Sequence, residues 1–381
     1  MLSETRVLLV TNYREDYQYS MLKFGEILVN KNNAGHNLNI QEIYPSAVLG
    51  KWKFLGKFSK WSGYIDKFFF FPKRLIEYLN NEERNINLVH IADHSNSPYL
   101  KSIKKVSKAK RLLTCHDLIA VRASLGEFSS APKTSSRGKK LQSWILSSIT
   151  DADFYACDSN QTKEDLNRIA AYSNKNSKVI HLGTEFSSQN SDSSIYPKTG
   201  LSFDPSTTRF ILHVGSAAWY KNRKAVLRAF MNVKEHKKNR DLKLILVGPS
   251  PQSHEIDFEI KKWIDSDADN LISLQNVSEH LLHSLYTHAE TLVFPSFIEG
   301  FGWPPLEAAS LGCPVITTKT GAIHDLLGEH AKYVDPNCQE SINISIGEVL
   351  DNWQRKKHVV TLPSNQEFRE NYYSLYKNLH Y

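Results

Sequence analysis

Only four cysteines occur in 381 residues, and no two of them form a C-x-x-C pair. Cys115, Cys157, Cys313 and Cys338 are scattered, which excludes a zinc knuckle or a disulfide framework and leads us to expect buried, reduced thiols in a cytosolic protein. No apolar run approaches the roughly 18–20 residues that a membrane-spanning helix needs. The first such run, Arg6-Val-Leu-Leu-Val-Thr11, is too short for a secretory leader and reads as a first strand. No short-period repeat is visible. The net charge of +7 is accompanied by no zinc, recognition-helix or RNA-sheet motif, which argues against a nucleic-acid partner.

A hydrophobic content of 41% with 23% charged residues is that of a soluble globular protein, and the length allows roughly two to three domains. Short apolar runs alternate with helical patterns throughout, the signature of a parallel α/β architecture. In the first half, strands are predicted near Val7–Thr11, Leu38–Tyr44, Leu88–Ile91, Arg111–Cys115, Phe154–Asp158 and Lys178–His181. A serine-rich stretch, Ser187–Ser194, interrupts the pattern. It restarts with Phe210–Gly215, Leu242–Gly248, Leu271–Leu274, Thr291–Pro295, Pro314–Thr317 and Lys332–Val334. The expectation is two doubly wound, Rossmann-like domains, 1–190 and 208–365, joined by a linker over 191–207. In such sheets ligands bind at the carboxyl ends of the strands, where the strand order reverses.

The basic residues concentrate in Lys51–Arg74 and Lys101–Arg111. The first cluster interleaves lysine with Trp52, Phe54, Phe58, Trp61 and Phe68–Phe71. That composition suits a segment attracted to anionic lipid. The plainer reading is a pair of helices with core aromatics and solvated lysines.

The most informative stretch is Phe297-Ile-Glu-Gly-Phe-Gly-Trp-Pro-Pro-Leu-Glu307, with two carboxylates eight positions apart. A buried strand precedes it, and Leu306-Glu-Ala-Ala-Ser-Leu-Gly312 reads as a helix. Pro304 suits a first helical turn, where a missing N–H costs nothing. Gly300 and Gly302 allow close backbone approach, so the amides of residues 301–303 and the helix dipole can meet a diphosphate. Glu307 then lies within reach of a ribose, and Glu299 lies across the phosphates from it. Trp303 is either packing or a stacking wall for sugar or base. Lys221, after the glycine-ended strand Phe210–Gly215, is a point charge suited to phosphate.

Pro295–Glu307 and the following Ala308-Ala-Ser-Leu-Gly-Cys-Pro-Val-Ile316 resemble the donor-site signature of glycosyltransferase family 4, the retaining GT-B enzymes with an E-x7-E motif. Phe210–Asn222 resembles that family's first C-terminal strand and phosphate loop, with Gly215, Ser216, Lys221 and Asn222 on the donor. The segment Val277–Glu290 resembles the one that helps seat the base, which implicates Val277 and Leu281. Thr114–Leu118 resembles the acceptor-side strand end with a functional histidine, here His116, beside Asp117. Ala156–Leu166 and Val179–Gly183 resemble the last N-terminal strands. The likeness spans most of residues 110–336 and is weak before residue 110.

It implies a nucleotide-sugar donor, a glycan or lipid-linked acceptor, and a GT-B fold whose reaction lies in the interdomain cleft. A last helix, 366–381, is expected to return to the N-terminal domain. Glu299, His116 and Lys221 become the catalytic candidates. Glu299, Gly300, Phe301, Gly302, Trp303, Leu306 and Glu307 line the donor. His94, at the end of the strand Leu88–Ile91, is a further acceptor-side candidate from its position alone. No metal and no cofactor are expected.

There are departures. Tyr220 and Ser216 stand where the family often carries arginines, and the loop after the first strand has no glycine before Gly25. Asp151-Ala-Asp153 matches a metal-binding D-x-D but opens a strand, and Cys115 beside His116 lacks the partners of a thiol nucleophile. The expectation is a peripheral, cytoplasmic hexosyltransferase using GDP- or UDP-sugar. The alternative is a non-catalytic relative of the same fold that binds nucleotide sugar or glycan.

Overall fold

A computed structural model describes residues 4–16, 18–29, 37–49, 59–170, 176–184, 203–352 and 359–380. Two six-stranded parallel sheets carry it. The first is built from β1 (Thr5–Val10), β2 (Leu38–Ile43), β3 (Leu88–Ile91), β4 (Lys110–Cys115), β5 (Phe154–Cys157) and β6 (Ser177–Val179). Its order is β2-β1-β3-β4-β5-β6. The second is built from β7 (Phe210–Val214), β8 (Lys243–Val247), β9 (Leu271–Leu274), β10 (Thr291–Phe294), β11 (Val315–Thr317) and β12 (Lys332–Tyr333). Its order is β12-β11-β10-β7-β8-β9. Every strand lies within a few residues of its predicted position. Continuous β-branched and aliphatic runs such as Leu-Ile-Leu-Val in β8 are what a strand buried on both faces requires.

The chain divides into two compact units: residues 1–128, 133–183 and 364–381, and residues 129–132 and 184–363. In the first, a core of Leu8, Val10, Val89, Leu113, Tyr155 and their neighbours lies against one face of the sheet. The helix Asn365–His380 belongs to this unit. Tyr376 and Tyr372 reach β3 and β4 through hydrogen bonds to His90 (2.8 Å) and Thr114 (3.0 Å). In the second unit, Leu212 and Phe294 are buried in the sheet, and Leu244, Val293 and Ile316 pack on the helix Arg223–Lys234. The expected linker over 191–207 lies mostly outside the described residues.

Of the basic, aromatic segment, residues 51–58 lie outside the described set. The remainder forms the helix Ser59–Ile65, a π-helical turn Asp66–Phe70 and the helix Phe71–Leu79. The segment divides its aromatics. Phe71 is buried and Phe68 packs on the core, while Tyr64, Ile65 and Phe69 are exposed. Asp66, fully buried, accepts from the Tyr13 hydroxyl (3.0 Å) and from the Val48 and Leu49 amides (3.1 and 3.0 Å), which ties this segment to the loops after β1 and β2. Cys115, Cys157 and Cys313 are buried free thiols, and Cys338 is exposed.

Candidate active site

In the second sheet the strand order reverses between β7 and β10, and the loops after these two strands carry the carboxylate motif and the lysine. This is the position at which an open α/β sheet leaves a crevice. Three loops converge there. Phe297 N donates to Tyr220 O at 2.8 Å, joining the β10 and β7 loops. Glu299 N donates to Thr320 Oγ1 at 3.0 Å, and Thr318 Oγ1 donates to Ser296 O at 2.7 Å, joining the loop after β11. Ala322 N closes on Phe301 O at 3.1 Å.

At the centre, Lys221 Nζ lies 2.9 and 3.0 Å from the two carboxylate oxygens of Glu299. The side chains are 12% and 7% exposed, so a nearly desolvated ion pair faces the strand ends. The ammonium also sits over the Phe294 ring, 4.8 Å from its centroid. A pair this buried is sensitive to losing either partner, because the remaining charge has no water to fall back on.

Gly302 has φ +95 and caps the helix Trp303–Ser310. A Cβ there would run into Ile323, so glycine is required both by conformation and by space. Pro304 and Pro305 sit in the first turn and carry no N–H. Of the first helical residues only Trp303 and Leu306 can therefore offer a backbone donor, fewer than at an ordinary helix start. Glu307, one turn in and half-buried, accepts from the Tyr286 hydroxyl at 3.0 Å. Trp303 packs edge-on to Phe301, with centroids 5.3 Å apart. Gly300 and Leu306 are buried in the same turn.

The remaining donor-side candidates act on the protein itself. Asn222, at φ +52, donates from its side-chain amide to Pro295 O (3.1 Å) and Pro336 O (2.9 Å). It locks the β7 loop to the β10 loop. Ser216 is exposed and its hydroxyl receives the Ala218 amide at 3.4 Å. Gly215 leaves room that His213 Nε2 and the Lys221 stem border at 3.4 and 3.5 Å from a would-be Cβ. Val277 is half-buried, and Ser278 caps the helix Glu279–His288 through Leu281 N (3.2 Å). The next cations in the chain are held elsewhere. Arg223 is buried with Glu255 at 3.2 Å, and Lys224 pairs with Asp257 at 3.1 Å.

In the first unit the strand order reverses between β1 and β3. Asn12, after β1, donates to Asp93 Oδ2 (2.6 Å), after β3, and receives Asn96 Nδ2 (2.9 Å). His94 Nδ1 lies 3.4 Å from Asp93 Oδ1. His116 departs from the expected substrate contact. It is buried, its Nδ1 lies 2.6 Å from Asp158 Oδ2, and its Nε2 lies 2.8 Å from Ala92 O. Both ring nitrogens thus face acceptors, which a doubly protonated ring satisfies. Burial by itself would push its pKa down. The Asp158 charge and hydrogen bond, with Asp93 and Ala92 O, outweigh that and lift it to about 9. In this conformation His116 has no nitrogen to offer a sugar. It is a buried cation that joins β3, β4 and β5. Asp117 receives the Ile119 amide at 2.9 Å, so it closes a turn.

Asp151 and Asp153 sit at the opposite, amino end of β5, paired with Lys104 (2.9 Å) and Arg111 (2.5 Å). Among the described residues no three His, Cys, Asp or Glu side chains gather as a metal cage. The sequence reading missed Thr318, Thr320, Tyr286 and Asp158. The threonines and the tyrosine come from other elements, and no local pattern announces them.

The chain resembles solved GT-B glycosyltransferases in fold. A glycosyltransferase from Rickettsia africae matches with a TM-score of 0.69 at 16% identity over 99% of both chains. Sucrose-phosphate synthase from Thermosynechococcus elongatus matches with a TM-score of 0.65 at 16% identity, over 99% of this chain and 96% of the other. The fold is thus GT-B. Residues 202–371 match the model of the family described as glycosyl transferases group 1. Among characterised relatives, the O-antigen chain mannosyltransferase RfbU of Salmonella typhimurium is 36% identical over 100 residues, 26% of each chain. The O-antigen chain mannosyltransferase B of Escherichia coli is 29% identical over 153 residues, 38% of each. The matched segments thus span only about a quarter to two fifths of these relatives' lengths.

Proposed function

We propose that the chain is a retaining hexosyltransferase that takes its sugar from a nucleoside diphosphate and delivers it to a hydroxyl of a polysaccharide or lipid-linked glycan. The observation that carries this reading is the Lys221–Glu299 pair at the strand-order reversal, beside the Gly302-headed helix that bears Glu307. Lys221, with the amide of Trp303, meets the charge that develops on the departing diphosphate. Glu307 accepts from the ribose hydroxyls. Glu299 holds Lys221 in place and takes up sugar hydroxyls, which orients the anomeric carbon. Among the described residues no side chain stands out as a nucleophile, so the acceptor hydroxyl attacks from the face the diphosphate leaves, and its proton passes to the departing diphosphate oxygen as the bond to the anomeric carbon breaks. The relatives named for mannosyl transfer favour a GDP-sugar over a UDP-sugar. The acceptor is assigned to the first unit, through its β1–β3 loops rather than through a free His116 nitrogen. The exposed Tyr64, Ile65 and Phe69, set among lysines, suit contact with an anionic membrane on the cytoplasmic side.

Incubation with a panel of GDP- and UDP-sugars, scored for nucleotide release with and without EDTA, tests this. Turnover of one sugar that survives EDTA is expected, since helix and lysine can neutralise the diphosphate without a metal. Binding of a nucleotide sugar with no release from any of the panel, acceptor glycans included, would favour the non-catalytic relative instead.

A further inference from the structure

The Tyr286 hydroxyl lies 3.0 Å from Glu307 Oε2, and its ring is wholly buried in the helix Glu279–His288, which runs between β9 and β10. Glu307 comes from a different helix and is half-buried. A glutamate in that setting has three rotatable bonds to fix before its carboxylate can meet a ligand, and fixing them costs entropy at each binding event. A buried tyrosine has already given up that freedom on folding. Its hydroxyl, buried with the ring, must find a hydrogen-bond partner. Burial first, and then the Glu307 charge, push its pKa well above the ordinary value, so it is a donor throughout the physiological range. A carboxylate can accept about four hydrogen bonds, so one from Tyr286 leaves capacity for a ligand.

We infer that Tyr286 is a positioning residue: it holds the Glu307 carboxylate in the rotamer that accepts the ribose hydroxyls, and so sets the affinity for the nucleotide without touching it. This deepens the function proposed above and rests on Glu307 meeting the ribose. The geometry assigns the role because one oxygen of the carboxylate is fixed from below, by an element that the motif itself does not contain. The tyrosine and the glutamate are 21 positions apart in sequence and meet only because their helices pack together.

The test is calorimetric titration of GDP and UDP, and of their 2′,3′-dideoxy analogues, into the wild-type chain, Tyr286→Phe and Glu307→Gln. Tyr286→Phe should weaken the ribonucleotide about 3–10-fold, the size of one ordinary hydrogen bond, since the loss reaches the ligand only through Glu307, and leave the dideoxy analogue's affinity unchanged. In turnover the donor KM should rise while kcat stays close to wild type, the pattern of a lost uniform binding interaction. Equal weakening of both nucleotides would mean that Tyr286 only packs, and would overturn the inference. If Tyr286→Phe binds like wild type while Glu307→Gln loses the ribonucleotide, the positioning role fails but the ribose contact stands. If Glu307→Gln also binds like wild type, the ribose contact itself fails. Should Tyr286→Phe not fold, 3,5-difluorotyrosine at position 286 keeps the ring and acidifies the donor. A ribonucleotide-to-dideoxy affinity ratio left unchanged by that replacement would overturn the role equally.

Discussion

At the reversal of strand order in the first unit, Asn12, Asp93 and Asn96 are hydrogen-bonded to one another, and His116 is held between Asp158 and Ala92. At the matching point of the second unit, Lys221 and Glu299 face each other at the strand ends, and a glycine-headed helix bearing a second carboxylate stands beside them. The same topology thus produces a buried network of polar groups at one reversal and a nearly desolvated ion pair at the other. Polar residues at a strand's carboxyl end can therefore serve the frame as readily as the ligand. Only the hydrogen-bond partners tell which.

The largest effect that sharpens this contrast concerns His116. His116→Ala removes the partner of Asp158, which is buried, and breaking a buried pair costs roughly 3–5 kcal/mol. The thermal midpoint should fall steeply, while the enzyme that remains folded keeps most of its kcat. A normal midpoint with a collapsed kcat would return His116 to the chemistry and erase the contrast.

Lys221→Ala should do the reverse. Turnover should drop by about 10²–10³, as for loss of one preorganised transition-state donor, with a smaller change in donor KM. The two prolines leave few amides to compensate, and Arg223 and Lys224 are engaged with Glu255 and Asp257. Glu299 is left unpaired as well, so the midpoint is to be measured alongside, and the kinetics read on folded protein. Near-full turnover would show that another cation serves the diphosphate.

A milder effect appears against pH. The folded pKa of His116, about 9, lies above its ordinary 6.5. The stability it gives is complete below about 6.5 and is lost as pH rises through about 9. His90 and His213 behave oppositely. Burial lowers both to about 3, helped by the His116 charge for His90 and by Arg223 and Lys221 for His213. Their contribution is whole above about 6.5 and is lost as pH falls below that. Unfolding midpoints recorded from pH 5 to 10 should therefore peak between the two limbs, and His116→Gln should flatten the alkaline one. An unchanged alkaline limb in that variant would mean that His116 is not the charged staple described.

The smallest expected effect is at the surface. Co-sedimentation with anionic vesicles, but not neutral ones, should appear at low salt and fade as salt rises. Phe69→Glu should weaken it. Indifference to vesicle charge would leave Tyr64, Ile65 and Phe69 as ordinary exposed apolar residues.

Much of this was legible in the chain. The twelve strands could be read because each is a short apolar run, and such runs survive any tertiary context. The turn and helix after β10 could be read because glycine and proline are fixed there by backbone conformation within a few residues. The partners that occupy both His116 nitrogens could not be read, because Asp158 lies 42 positions away and Ala92 contributes only its carbonyl. The two carbonyls that receive the Asn222 side-chain amide were hidden for a similar reason, since they lie on the loops after β10 and β12. The Tyr286 contact could not be read, because Glu307 lies 21 positions away on another helix.

The helix Asn365–His380 completes the first unit although the whole second unit is translated before it. On the ribosome, β1 to β6 emerge first but lack Tyr372 and Tyr376, the hydroxyls that engage Thr114 and His90. The second unit carries its own sheet and core within an unbroken stretch of chain after residue 184 and can close while synthesis continues. Completion therefore runs against the order of translation. Nascent chains stalled just short of residue 364 should yield a protease-resistant second half beside a still digestible first.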